Sequence, residues 1–163
     1  MIYMKKIIAL VLVAVISVVS VNAFAEGEKI ENCAKIKESL VNLQHADARA
    51  RGYLGRYYET ILNKFIVPLN MRLVENNISD ADLVANQGDY KAQLQSFRDD
   101  FITYQQGLEE LVSINCEEEP AKFIEKLGDT RTKQQTVVND VTAIRRTITK
   151  QVEYVKKLKE RLK

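Results

Sequence analysis

The chain has 163 residues, with 24 basic against 22 acidic side chains, two cysteines and no tryptophan. That length suits one domain and is too short for two comfortable ones. The only charges in residues 1–25 are Lys5 and Lys6, so residues 26–163 carry 22 of each sign, and a balanced chain has no overall attraction to nucleic acid or to an anionic membrane.

Residues 1–25 read as a secretory signal. Lys5 and Lys6 give a positive start, residues 7–21 are an almost unbroken apolar run, and Ala23-Phe24-Ala25 places small residues where a signal peptidase inspects the chain. The run falls short of the roughly 20 residues that span a bilayer as a helix. Cleavage is therefore expected before Glu26, with cleavage after Ala23 as a close variant and a retained anchor as the alternative. The exported chain would be periplasmic, cell-surface or extracellular. Cys33 and Cys116 both lie in it, and an even cysteine count in an oxidising compartment predicts a disulfide. Their separation of 83 residues would make the bridge worth roughly 4 kcal/mol in the chain-entropy model.

The first helix is expected over about 30–75. Its seam reads Cys33, Ile36, Leu40, Leu43, Asp47, Ala50, Leu54, Tyr57 and Ile61, the alternating three- and four-residue spacing of a coiled coil. Beyond Tyr57 the stripe widens to Tyr58, Leu62, Phe65, Ile66 and Leu69, and Pro68 should kink or end the helix because it lacks a backbone donor. Asn76-Asn77-Ile78-Ser79 is the best turn signal, with Ser79 the expected cap of the second helix. That helix, over about 80–116, carries Tyr90, Leu94, Phe97, Phe101, Tyr104, Leu108 and Leu111 on one face. It is read as continuous through Gly88, at a cost of about 1 kcal/mol, the alternative being a short helix, a break at Asn86-Gln87-Gly88 and a main helix from Asp89.

The third helix is expected over about 119–162, opened by Pro120 behind Glu117, Glu118 and Glu119. Its seam runs Phe123, Leu127, Thr130, Gln134, Val137, Val141, Ile144, Ile148, Gln151, Val155, Leu158 and Leu162. The fold class is thus all-α: an elongated antiparallel three-helix bundle with coiled-coil-like seams, over residues 26–163, preceded by a signal peptide. If the first helix rises from Cys33 and the second descends to Cys116, both sulfurs meet at one end. Register from that end predicts layers of Leu40 with Leu108 and Leu127, Leu54 with Leu94 and Val141, and Tyr57 with Tyr90 and Ile144. Asp47 falls near Phe101 and Gln134, and Phe65, Leu69, Leu83, Val155 and Leu158 should close the far end.

No assembled chemical site is legible. The lone His45 has neither a metal-sharing partner nor a nucleophile to activate, and the consecutive Glu117, Glu118 and Glu119 fan outwards where a hard cation needs convergent oxygens. Phosphate loop, haem attachment, nucleophile elbow and zinc spacing are all missing from the sequence, so no catalytic residue, metal ligand or cofactor is assigned. Asp47 and Gln134 predict a buried polar layer that fixes helix register, with Arg51 or Arg131 in reach of the carboxylate. Arg51, Tyr53 and Arg56 interleave arginine and tyrosine beside Gly52 and Gly55, residue types that anchor interfaces. Residues 145–163 hold eight basic and two acidic side chains. Lys156, Lys157, Lys159 and Arg161 there suit an anionic envelope polymer, a lipid headgroup or an acidic partner.

The run of residues 51–61, followed by Asn115-Cys116 and by Pro120 with Phe123, resembles patterns in exported helical proteins of small-genome bacteria. The resemblance implies a helical bundle and export, and brings no activity with it. The functional expectation is a non-enzymatic exported module that binds another protein or an anionic envelope component, with peripheral membrane contact included and nucleic acid not. A structural spacer or self-assembling surface protein is one alternative, and a periplasmic-type chaperone another. Oligomeric state and envelope type stay open.

Overall fold

The computed structural model describes residues 30–162, so the signal assigned to residues 1–25 lies outside the described residues. All regular structure among the described residues is helical: α1 (Cys33–Ile61), a π-helical turn (Leu62–Ile66), α2 (Val67–Glu75), α3 (Ala81–Ser113) and α4 (Pro120–Arg161). At 1.5 Å per residue the 42 residues of α4 extend about 60 Å. None of these helices is long and apolar enough to cross a membrane.

α3 and α4 form an antiparallel hairpin whose register is fixed by side chains. The Thr130 hydroxyl donates to the carbonyl of Gly107 (3.1 Å), Thr147 donates to Gln93 Oε1 (2.7 Å), and Asn86 Nδ2 donates to Gln151 Oε1 (2.7 Å). At Gly107 the helices come so close that a Cβ would stand 3.2 Å from the Lys133 side chain. α1 lies mainly on α3. The Tyr90 hydroxyl donates to the carbonyl of Tyr58 (3.0 Å), Arg98 pairs with Glu59, and Tyr58, Phe97, Phe101 and Tyr104 stack edge-on in series, with ring centroids 5.7 to 5.8 Å apart. That geometry is the favourable one for aromatic quadrupoles.

The continuous second helix is as the sequence implies, and Gly88 sits within it. Its carboxyl end comes earlier than expected. α3 stops at Ser113, where the hydroxyl turns back to the Glu110 carbonyl, Ile114 goes extended, and Asn115 Oδ1 accepts from the Glu117 amide. Short polar side chains offer the backbone an alternative to the helical ladder, and Cys116 therefore lies in the link. The Cys33–Cys116 disulfide is present, with Cα atoms 5.8 Å apart.

Pro68 is expected from the sequence to kink or end the helix, and the interruption falls just before it. The Val67 amide donates to the carbonyl of Leu62, five residues back, so the chain passes through a π-helical turn and re-enters α-helix with Pro68 in the first turn of α2. Across the wider turn, four-residue steps hold one face. Tyr58, Leu62, Ile66 and Asn70 point inward, and Phe65 is 66% exposed, a correction to its expected place in the far end. Tyr58, not Tyr57, is the deeply buried member of that pair. α2 then closes on a left-handed Asn77, with the Ile78 amide returning to the Leu73 carbonyl at 2.8 Å, a Schellman turn with its apolar pair in contact. The cap of α3 is Asp80, whose carboxylate accepts from the Leu83 amide at 3.0 Å, and not Ser79.

Two clusters form the core. The large one runs from the disulfide to Ile66 and includes Leu54, Leu94 and Val141 as well as Tyr57, Tyr90 and Ile144, in keeping with those two layers. The small one lies at the end away from the disulfide, where the turn at residues 76–80 leads α2 back into α3, called here the hairpin end; it joins Leu73, Leu83 and Leu158 with Leu69, Ile78 and Tyr154. Val155 and Leu162 are exposed instead of closing the seam. Thr147, Gln151, Tyr154 and Leu158 face α3, and the flank of α4 that carries Val155 and Leu162 goes uncovered because the α1–α2 arm packs on α3 there.

Candidate functional site

The hairpin end gathers three chain segments: residues 62–75, residues 81–91 and residues 145–162. Asn70 holds the first to the second, donating to the Leu83 carbonyl (3.1 Å) and to Gln87 Oε1 (2.8 Å). Asn86 holds the second to the third through Gln151. Arg161 completes the tie, its guanidinium donating to the Asp80 carboxylate that also caps α3. Arg161 is thus exposed and paired with Asp80.

Around these ties the end is studded with apolar side chains. Phe65, Met71, Val74, Val84, Val152, Val155 and Leu162 are exposed, and together they are seven of the nine large exposed apolar side chains among the described residues. The other two, Tyr53 and Ile102, are scattered singly, which is ordinary for a protein surface. Charge is polarised along the same axis. Residues 62–91 and 145–162 hold ten basic and six acidic side chains, a net +4, and the remaining described residues hold ten basic and fourteen acidic, a net −4. Lys156, Lys157 and Lys159 are exposed there, with the Lys157 ammonium 5.8 Å from the centre of the Tyr154 ring.

The other sequence-assigned residues lie away from this end. Asp47 is half-buried and accepts from the Tyr104 hydroxyl at 2.6 Å, and that same oxygen receives Gln134 Nε2 at 3.4 Å. Asp47 and Gln134 are therefore brought together, as a chain of three in which Tyr104 stands where the sequence suggested an arginine. Burial pushes the Asp47 carboxyl up, the Tyr104 hydrogen bond opposing it. Burial, then the bond to Asp47, raises the Tyr104 phenol far above its ordinary range. Thr130 is occupied with the Lys126 and Gly107 carbonyls, outside this network. Arg51 lies 6.0 Å over the Phe101 ring, so its charge is turned inward, and Tyr53 and Arg56 are exposed beside the open Gly52 and Gly55. His45 is a surface residue, and no group of three or more metal-binding side chains converges among the described residues.

Of the apolar residues exposed at this end, the spacing assigns Phe65, Val155 and Leu162 to buried faces, and the π-turn and the placement of α2 turn them out. The charge polarity, by contrast, was legible in the basic excess of residues 145–163. Comparison with known proteins returns no matching family model, no matching curated protein and no matching solved structure.

Proposed function

We propose that this is an exported, non-enzymatic helical bundle that rests by its hairpin end on an anionic lipid surface of the cell envelope. The observation that carries the reading is the coincidence, at one end of the bundle, of seven exposed apolar side chains with a net charge of +4. Apolar residues gain by entering the headgroup region, and each cation near an anionic surface adds about 1 kcal/mol. Export rests on the signal read in residues 1–25, and the Cys33–Cys116 bridge supports an oxidising compartment.

Co-sedimentation with vesicles tests it. Binding to vesicles of phosphatidylglycerol mixed with phosphatidylcholine is expected, with little to phosphatidylcholine alone. A triple Phe65→Ser, Val74→Ser, Val155→Ser variant, altered only at exposed positions, should lose most of it. Equal binding to both vesicle types, or a dimer in sedimentation analysis that the triple variant abolishes, would replace the membrane reading with a non-electrostatic or a self-association surface.

A further inference from the structure

At the opposite end from the proposed membrane contact, α1 is held off the α3–α4 hairpin. Between Cys33 and Tyr58 no residue of α1 is fully buried, although Ile36, Leu40 and Leu43 all turn toward the hairpin. Two props account for this. The disulfide fixes the amino end of α1, and the Asp47–Tyr104–Gln134 chain fixes it about four turns on. Between them a groove of about 490 Å³ opens, walled by Ile36, Leu40, Leu43, Leu108, Leu111 and Leu127. The expected layer of Leu40, Leu108 and Leu127 thus exists as the lining of a cavity. Lys35 and Arg131 stand on its rim, both exposed and neither in an ion pair among the described residues, with Ser39 and Gln134 beside them as hydrogen-bonding groups.

From this geometry we infer a binding site for a single-chain amphiphile with an anionic head, a fatty-acid carboxylate or a lysolipid phosphate. The volume lies within the roughly 300–1,000 Å³ of small-molecule pockets. Leucine walls match an acyl chain and form no hydrogen bond to distinguish one chain from another. The rim supplies the recognition: Lys35 and Arg131 are the two cations that border the groove, so an anionic head whose chain enters it finds a charge-assisted partner there. The site rests on different residues from the hairpin end and stands or falls independently of it.

The experiment uses protein expressed from the full sequence, purified without detergent, with its amino terminus fixed by intact mass. Binding of radiolabelled palmitate, palmitoyl lysophosphatidate and hexadecanol is measured below their aggregation concentrations by equilibrium dialysis. One molecule per chain is expected, with hexadecanol about tenfold or more weaker than both anions. A Lys35→Glu, Arg131→Glu double variant changes only exposed residues and should lose about tenfold in palmitate affinity while leaving hexadecanol unchanged. Leu43→Trp should fill the groove and reduce all three. The Phe65→Ser, Val74→Ser, Val155→Ser variant should bind palmitate as the parent does. Tighter palmitate than lysophosphatidate, or the reverse, assigns the head group. Absence of saturable binding, equal affinity for hexadecanol, or indifference to the double charge reversal overturns the inference.

Discussion

Tyr104 supplies the hydrogen bond that keeps the half-buried Asp47 from standing unpaired. Tyr104→Phe removes it, and leaving a buried carboxylate short of a donor costs about 1–2 kcal/mol. The Tyr104 bond lowers the Asp47 pKa against a larger upward push from burial, so the variant should titrate Asp47 at a higher pH still, observable by carboxyl NMR. The penalty should be larger at neutral pH than in acid, since it is the ionised form that loses its donor; a penalty independent of pH would sink this account. A second carboxylate lies on the side-chain register of the hairpin itself. Asp140 on α4 is pushed up to about 6, first by burial and then by the hydrogen bond and charge of Asp100 on α3. Its folded value lies above its ordinary 3.8, so the native state binds more protons between those limits. Stability from this pair is therefore full in acid and is lost as pH rises through about 6. Asp140→Asn removes the repulsion. Discounted for the solvent around a partly exposed group, it should stabilise the protein by about 1 kcal/mol at pH 7.5 and flatten the pH dependence of the urea midpoint between pH 4 and 7.

Among the elements, α1 is the weakly held one. Beyond the buried Cys33 and its disulfide, its contact with the α3–α4 pair up to Tyr57 consists of partly buried residues and the Asp47 network, whereas α3 and α4 are zipped along their length. Reduction of the disulfide, or Cys33→Ser with Cys116→Ser, should cost roughly 4 kcal/mol and raise amide hydrogen exchange first in residues 33–57, with α3 and α4 protected; uniform loosening would mean that α1 is no less cooperative than the rest. This hierarchy explains how far the sequence could be read. The helices, the bridge and the central layers follow from spacing and cysteine position because each is a local signal multiplied over many residues. Phe65, Val155 and Leu162 satisfy the same spacing and still face solvent, since a seam residue is buried only if a partner helix covers it. That depends on the π-turn before Pro68 and on α2 choosing α3 over α4. The partner of Asp47 escaped for a related reason: Tyr104 was counted as an apolar seam residue, and its hydroxyl became visible as a donor only once three helices were placed together.

At the scale of the whole molecule the two ends differ in chemistry, net +4 with exposed apolar groups at the hairpin end and net −4 toward the disulfide. Such a charge dipole orients a rod before it touches an anionic surface, the negative end being repelled and the positive end drawn down. The chain has no tryptophan, so single introduced indoles report position without background. Phe65→Trp and Leu162→Trp should shift to the blue on adding phosphatidylglycerol vesicles, while Tyr53→Trp and Ile102→Trp, exposed toward the middle of the bundle, should not. Raising ionic strength from about 0.05 to about 0.5 M shortens the Debye length severalfold, which should weaken binding without changing which indoles shift once bound, because the apolar contacts are not screened. Blue shifts at all four positions would mean that the bundle lies flat, and that its charge polarity does not set how it meets the membrane.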